Sequence, residues 1–202
     1  MIGVDFDNTI VCYDRVIHEL ALERQLIPST VPASKSAVRN YLRACGMEDD
    51  WTELQGHAYG EGLKRAEPFP GALGFFKRCR DLAVPVSVIS HKTTVPFRGP
   101  ACDLRNAAQH WLECQGFYDA ARIGMSRDRV FFEPTKAAKL ERIASLECKY
   151  FIDDLPEFLD EPSFPPGVSK ILFDPAGSGI SETCSRSVRS WDELYEWLRS
   201  FE

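Results

Sequence analysis

Two aspartates stand two positions apart at the end of the first apolar segment of the chain. Asp5 and Asp7 follow Met1–Val4 and are followed by Asn8 and Thr9. An apolar segment that ends in acids predicts a buried strand whose carboxyl end delivers those acids into a crevice. Because alternate residues of an extended segment point the same way, one carboxylate can attack phosphorus while the other supplies and retrieves a proton. The spacing therefore predicts phosphoryl-transfer chemistry.

Two further polar clusters follow apolar segments later in the chain. Ser90 and His91 end one of these segments, and Asp153 and Asp154 end the other. In an open parallel sheet the carboxyl ends of the strands meet at one edge, so we expect these clusters to converge with Asp5. A hydroxyl there can bind phosphate oxygens and the acids can bind Mg²⁺. His91 either lines this pocket or makes a structural hydrogen bond, and the sequence does not decide between the two.

Two lysines precede the late acidic pair, at the start of a predicted helix. A carboxylate and a phosphate dianion at contact repel by several kcal/mol even at an effective dielectric constant of about 20, so the site needs a cation. Lys136 lies beside the predicted N-cap Thr135, and Lys139 lies one turn further on the same helix face. Either ammonium could reach the phosphate, so both lysines are candidates.

Strand and helix patterns alternate from Gly71 onwards. This alternation predicts an α/β protein with a parallel sheet and helices on both faces. A capping box at Ser190-Trp191-Asp192-Glu193 predicts the start of a last helix. The strands predicted after the first one are 85–89, 129–132, 150–152 and 170–173, and the helices before the last one are 72–82, 103–116 and 136–146.

The segment between the first acids and this alternation has a different pattern. Apolar residues such as Val16, Ile17 and Leu20 recur at helical spacing, and the segment ends in the proline-rich run 68–71. We therefore predict a helical insert of residues 12–68 and an α/β core of residues 1–11 and 69–202.

Composition limits the remaining possibilities. A net charge of −6 weighs against nucleic acid as the main partner, and no apolar stretch approaches the length of a membrane span. The 7 cysteines are scattered without a C-x-x-C pair, which argues against a zinc site or a disulfide framework. No secretory leader pattern is present, so we expect a cytoplasmic protein. The oligomeric state is left open.

The order of the motifs resembles that of the haloacid dehalogenase-like (HAD) hydrolase superfamily. The matching residues are Asp5-Phe6-Asp7-Asn8-Thr9, Val88-Ile89-Ser90, a helix-opening lysine and Phe151-Ile152-Asp153-Asp154. The resemblance implies a Rossmann-like core, a Mg²⁺ cofactor and an aspartyl-phosphate intermediate. It also implies that residues 12–68 form a small helical cap. Asn8 stands where many members have glycine, which fits because asparagine also adopts turn conformations.

The resemblance assigns a role to each matching residue. Asp5 would be the nucleophile and Asp7 the general acid and base. A second aspartate at the position of Asp7 resembles the phosphatases and mutases of the superfamily rather than its dehalogenases. The metal ligands would be Asp5, the backbone carbonyl of Asp7 and the late acidic pair, in which Asp154 aligns with the usual direct ligand and Asp153 would act through water. The phosphate-binding group is predicted to be Phe6, Thr9, Ser90, His91 and one of Lys136 and Lys139.

These expectations predict a Mg²⁺-dependent phosphomonoester hydrolase that acts on a small phosphorylated metabolite. One alternative is a phosphomutase, in which the same site returns the phosphoryl group to the substrate because the cap excludes water. A second alternative, from a different class, is a non-catalytic phospho-receiver or binding domain. Receiver domains also combine aspartates, a hydroxyl and a lysine, but in a different order along the chain.

Overall fold

A computed structural model of the chain describes residues 1–177, 181 and 183–199. The chain forms two compact units. The first unit contains Met1–Val11, Pro68–Lys92 and the chain from Gln115 onwards, and the second contains Cys12–Glu67 and Thr93–Cys114.

The strands confirm the predicted Rossmann-like architecture. In chain order they are β1 (Ile2–Val4), β2 (Val11–Cys12), β3 (Glu67–Pro68), β4 (Val86–His91), β5 (Val130–Glu133), β6 (Tyr150–Asp153), β7 (Ser169–Phe173) and β8 (Arg186–Val188). Six of them form a parallel sheet in the order β5-β4-β1-β6-β7-β8, and β2 pairs with β3. Counted within the large sheet, this is the 3-2-1-4-5-6 order of the Rossmann fold. The short polar strand β8 was not predicted.

Eight α-helices lie within the described residues. They are α1 (Asp14–Glu23), α2 (Lys35–Ala44), α3 (Glu48–Tyr59), α4 (Ala72–Asp81), α5 (Leu104–Cys114), α6 (Lys136–Ser145), α7 (Pro156–Leu159) and α8 (Trp191–Leu198). The side chains of Thr135 and Ser190 accept hydrogen bonds from the N–H groups of Ala138 and Glu193, which confirms both predicted N-caps. In the described parts of the chain, no helix combines the length and the apolar character needed to cross a bilayer.

Helices cover both faces of the large sheet. Leu172 and Phe173 are neighbours on β7, so their side chains point to opposite faces. Leu172 belongs to a core cluster with Leu140 and Ile143 of α6. On the other face, the ring of Phe173 lies 5.6 Å from the ring of Trp191 of α8. The sheet is therefore buried on both sides, as expected for parallel strands.

Trp191 fastens α8 to the segment that follows β1. Its side chain is fully buried, and its ring lies 5.0 Å from the ring of Phe75 of α4. The indole Nε1 donates a hydrogen bond of 3.0 Å to the backbone oxygen of Thr9. This single residue thus contributes both to the core and to the conformation of the turn that carries the first acidic motif.

We expect Trp191→Ala to lower the free energy of unfolding by about 3–5 kcal/mol, because it removes a large buried side chain and leaves a cavity. Trp191→Phe keeps most of the volume but leaves the Thr9 carbonyl unpaired, which should lower the free energy of unfolding by about 1–3 kcal/mol. Urea denaturation followed by circular dichroism measures both values. Trp197→Phe, on the same helix but half-buried, is the matched control. Equal stability of Trp191→Phe and wild type would contradict the importance of this hydrogen bond.

The second unit consists of helices from two separate chain segments. Helix α1 contacts α2 and α3, and α5 packs on a 3₁₀ turn at Glu61–Arg65. The indole Nε1 of Trp111 in α5 donates a hydrogen bond of 2.9 Å to the backbone oxygen of Ala66.

The predicted division had assigned the segment containing α5 to the core of residues 69–202. The structure groups Thr93–Cys114 with the insert instead. An amphipathic pattern shows that a helix has an apolar face, but it does not identify the surface that this face covers. The predicted boundary at residue 68 lies one residue from the observed change between units. The role of the second unit as a cap stays a prediction.

Candidate functional site

The candidate site lies at the carboxyl ends of β1 and β6. These strands are neighbours, with Val4 opposite Ile152, and the N–H of Asp5 donates a hydrogen bond of 2.9 Å to the Ile152 oxygen. The order of the strands reverses between β1 and β6, and in open α/β sheets ligands bind in the crevice at this topological switch point. Asp5 follows β1 and Asp153 ends β6, so the topology places both carboxylates at the mouth of the crevice.

Lys139 connects these two carboxylates. Its Nζ lies 2.6 Å from Asp5 Oδ1 and 2.6 Å from Asp153 Oδ2, and none of the three side chains is more than 7% exposed. Helix α6 positions the lysine, since Thr135 caps the helix and Lys139 follows one turn later. Lys136, at the first position of the same helix, is exposed. Of the two candidate lysines, the structure therefore brings Lys139 to the acids and leaves Lys136 on the surface.

Charge and burial act against each other in this cluster. Burial disfavours the charge on Lys139, but the carboxylates of Asp153 and Asp5 more than offset it, so the pKa of Lys139 lies above its ordinary value. Burial also raises the pKa of Asp153, and the ammonium of Lys139 offsets only part of that shift. The carboxylates therefore favour the charged form of Lys139, whose ammonium offsets the burial of Asp153 only in part.

Three carboxylates of the site lie close enough to share a metal ion. Asp5, Asp153 and Asp154 each offer an oxygen, and these oxygens lie within 4.8 Å of one another. Both oxygens of Asp153 accept hydrogen bonds, one from Lys139 and one of 2.9 Å from the N–H of Leu155. Asp154 is half-buried, and the hydroxyl of Thr9 donates to its Oδ1 at 3.5 Å. Clustered carboxylate oxygens suit hard divalent cations.

A second lysine, which the sequence analysis missed, pairs with Asp7. Lys92 Nζ lies 2.8 Å from Asp7 Oδ2 and 3.0 Å from Oδ1. The N–H of Lys92 donates to the oxygen of Glu133 at 2.8 Å, which extends the β4–β5 ladder by one residue. The available signal was the position of Lys92 two residues after Ser90, since alternate residues of an extended segment share a side. The predicted polar cluster ended at His91, one residue before Lys92.

The candidate site brings together four carboxylates and two ammonium groups. Asp5, Asp7, Asp153 and Asp154 are carboxylates, and Lys92 and Lys139 are the ammonium groups that contact them. When all six groups are ionised, the cluster carries an excess of two negative charges. One divalent cation would neutralise this excess, so the donor set fits the Mg²⁺ ion that the motif resemblance implies.

The other predicted phosphate-binding residues differ in burial and in their position on the sheet. Ser90 is buried at the end of β4, which is the neighbour of β1 on the side away from β6. Thr9 is also buried and contacts Asp154, as described above. The ring of Phe6 packs in the core 5.6 Å from that of Phe132, so its backbone is the part suited to a phosphate. His91 is exposed opposite Glu133. Their roles stay predictions.

Asn8 shapes the turn between these residues. Its φ angle is 59°, in the left-handed region that favours glycine and that asparagine adopts more readily than most other residues. The turn that follows β1 thus has the conformation expected where a glycine is common. The presence of asparagine at this position is consistent with the first motif.

Comparison with known proteins shows which solved structures share this fold. No family model matches the sequence, and a search among curated proteins finds no match. A HAD family hydrolase from Deinococcus radiodurans R1, solved with bound phosphate and sodium, has a TM-score of 0.63 and 15% identity, with 98% of this chain and 94% of that chain covered. YfnB from Bacillus subtilis, bound to magnesium, has a TM-score of 0.57 and 14% identity, with 98% and 97% covered.

A dehalogenase structure is also similar, with a TM-score of 0.52, 13% identity and coverage of 98% of this chain and 96% of that chain. At these identities the likeness concerns the fold. The chain therefore has the fold of the HAD hydrolases, as the order of its motifs predicted.

Proposed function

We propose that this protein, which shares the fold of the HAD hydrolases, is a Mg²⁺-dependent phosphomonoester hydrolase. Its substrate would be a small phosphorylated metabolite, and the reaction would pass through a phosphorylated Asp5. The observation that carries this proposal is the buried Lys139 ammonium between Asp5 and Asp153 at the switch point of the sheet. The phosphate in the D. radiodurans structure and the magnesium in the B. subtilis structure add support.

The residues that would hold Mg²⁺ are Asp5, the backbone carbonyl of Asp7, and the pair Asp153 and Asp154. Following the motif resemblance, we assign the direct contact to Asp154 and a water-mediated contact to Asp153, both of whose oxygens accept hydrogen bonds. When bound, the ion would neutralise the excess negative charge and polarise the phosphoryl oxygens.

The reaction consists of two displacements. The first starts with Asp7 protonated: an oxygen of Asp5 forms a bond to phosphorus, the bond from phosphorus to the leaving oxygen breaks, and that oxygen takes the proton of Asp7. In the second, a water oxygen bonds to phosphorus, the bond from phosphorus to the Asp5 oxygen breaks, and Asp7 takes a proton of the water. Lys139 and the hydroxyls of Thr9 and Ser90 would bind the phosphoryl oxygens.

Two other functions fit the site less well. A dehalogenase releases halide, which leaves without a proton, so a general acid at Asp7 would have no role in that reaction. A phospho-receiver domain has the 2-1-3-4-5 strand order, whereas this sheet has six strands in the 3-2-1-4-5-6 order. A phosphomutase would use the same residues and is separated from a phosphatase by its product.

We further propose that the second unit acts as a cap that selects the substrate. Its two segments, Cys12–Glu67 and Thr93–Cys114, leave the first unit shortly after Thr9 and directly after Lys92. Both departures therefore follow residues of the candidate site along the chain. This connectivity, together with the motif resemblance, supports the cap.

The proposal predicts Mg²⁺-dependent phosphate release from at least one member of a panel of sugar phosphates, nucleotides and other metabolite esters. Chelation with EDTA should lower the rate by about a hundredfold or more, and added Mg²⁺ should restore it, because the ion offsets the charge repulsion in the site. Inorganic phosphate is measured colorimetrically. Halide release from 2-haloacids and formation of phosphate isomers are measured in parallel. Either product in place of phosphate would contradict the phosphatase assignment.

A further inference from the structure

Lys92 is a buried lysine that contacts Asp7 of the candidate site. Its side chain is only 2% exposed, and its ammonium lies 5.4 Å from the ring centroid of Phe6. A buried charge is costly unless it is paired, and Lys92 pairs with the one acid that the proposed reaction uses for proton transfer, Asp7. A lysine at this position therefore fixes the environment of a reacting group.

The contact constrains the orientation of the Asp7 carboxylate. A single ammonium lies within hydrogen-bond distance of both oxygens, at 2.8 Å and 3.0 Å. The backbone N–H of Lys92 bonds to the oxygen of Glu133, and the side chain is buried. The ammonium is therefore held in place, unlike the ammonium of a surface lysine. The Asp7 side chain is itself 18% exposed, so this ion pair lies at the edge of the buried part of the site.

We propose that Lys92 is the positioning residue for Asp7: its ammonium holds one carboxylate oxygen so that the other faces the leaving-group oxygen of the substrate. This inference rests on the proposed phosphatase function. A lysine ammonium has three donors, so it can keep its contact with one oxygen of Asp7 while the other turns to the substrate. General acid catalysis requires the donor within about 2.6–3.2 Å of the leaving oxygen, and a misplacement of about 1 Å can lower the rate a hundredfold.

This role predicts a dependence on the leaving group that a merely structural lysine would not show. An alkyl oxygen leaves only with a proton, whereas 4-nitrophenolate leaves without one. Loss of the Asp7 orientation should therefore slow hydrolysis of an alkyl ester far more than hydrolysis of 4-nitrophenyl phosphate. Because substrate binding is not the affected step, the loss should lie in kcat rather than in KM.

The test compares kcat/KM for 4-nitrophenyl phosphate and for glycerol 2-phosphate in wild type, Lys92→Met and Lys92→Arg. We expect the ratio of aryl to alkyl turnover to rise about tenfold or more in Lys92→Met, and Lys92→Arg to restore part of it, since guanidinium keeps the charge with a different geometry. Lys77→Met, an exposed lysine on α4, is the matched control with an unchanged ratio. If Lys92→Met fails to fold in a thermal melt, Lys92→Gln is judged by the same criterion.

A second readout does not depend on activity. Crystal structures of wild type and Lys92→Met should differ in the rotamer of Asp7, and this comparison decides the positioning role even if the wild type hydrolyses neither ester. If the wild type released phosphate from no member of the metabolite panel, the proposed function would be overturned. An unchanged ratio of aryl to alkyl turnover in an active Lys92 variant, or an unchanged Asp7 rotamer, would overturn the role of Lys92.

Discussion

Replacing Asp5 by asparagine should abolish phosphate release, with a loss of about 10⁴-fold or more, because the amide cannot form the covalent bond to phosphorus on which both displacements depend. Asparagine is close to aspartate in size, so packing around position 5 changes little. The measurement is steady-state phosphate release with the best metabolite found in the panel, at saturating Mg²⁺.

Asp7→Asn is the matched variant and should fail in a different way. With 4-nitrophenyl phosphate the first displacement needs no proton from residue 7, but the second needs a base to deprotonate water. The phosphorylated form of Asp5 should therefore accumulate in Asp7→Asn and be visible by intact-protein mass spectrometry. No phosphorylated protein is expected in Asp5→Asn. Trapped phosphate on another residue, or full turnover by Asp5→Asn, would refute the nucleophile assignment.

Lys139→Met should lose both activity and stability, whereas Lys136→Met should lose neither. Without the ammonium, the buried carboxylates of Asp5 and Asp153 face each other unpaired, and breaking a buried ion pair in this way lowers the free energy of unfolding by about 3–5 kcal/mol. A phosphoryl group on Asp5 would also lose the ammonium that contacts this residue, so we expect turnover to fall about 10³-fold. Lys136 is exposed at the start of the same helix, and its replacement should change stability by less than about 0.5 kcal/mol.

Urea denaturation measures the stability of Lys139→Met and Lys136→Met, and phosphate release measures their activity. Mg²⁺ should stabilise Lys139→Met more than it stabilises wild type, since a cation can then take over part of the missing positive charge. Methionine keeps the length and the apolar stem of lysine, so a loss in Lys139→Met reports the charge. An inactive Lys136→Met beside an active Lys139→Met would reverse the assignment that the geometry favours.

The residues at strand ends explain why much of the fold and the site could be predicted from sequence. Asp5, Ser90 and Asp153 each follow an apolar segment, and a parallel sheet brings such positions to one edge. Cap residues such as Thr135 and Ser190 mark helix starts through local hydrogen bonds, so they too are visible in the sequence. These features depend on a few neighbouring residues, and the structure confirms the sheet and the caps.

The features that escaped prediction depend on partners far away in the chain. The apolar face of α5 is evident from its spacing, but which unit it covers is decided by the surface around Ala66. Lys136 and Lys139 differ little in local pattern, and only the packing of α6 on the sheet separates a surface lysine from a buried one. Lys92 stands out only through its contact with Asp7, which is 85 positions away in the chain. Charge pairing across such distances has no periodic signature.

The bond from Trp191 to Thr9 joins residues 182 positions apart, and this has a consequence for biosynthesis. A nascent chain that has emerged from the ribosome as far as β7 already contains every carboxylate and lysine of the candidate site. It still lacks the indole that fixes the turn after β1. The turn after β1 therefore lacks one of its hydrogen bonds until α8 has been translated, and we expect a truncation before α8 to loosen the first motif without removing a residue of the candidate site.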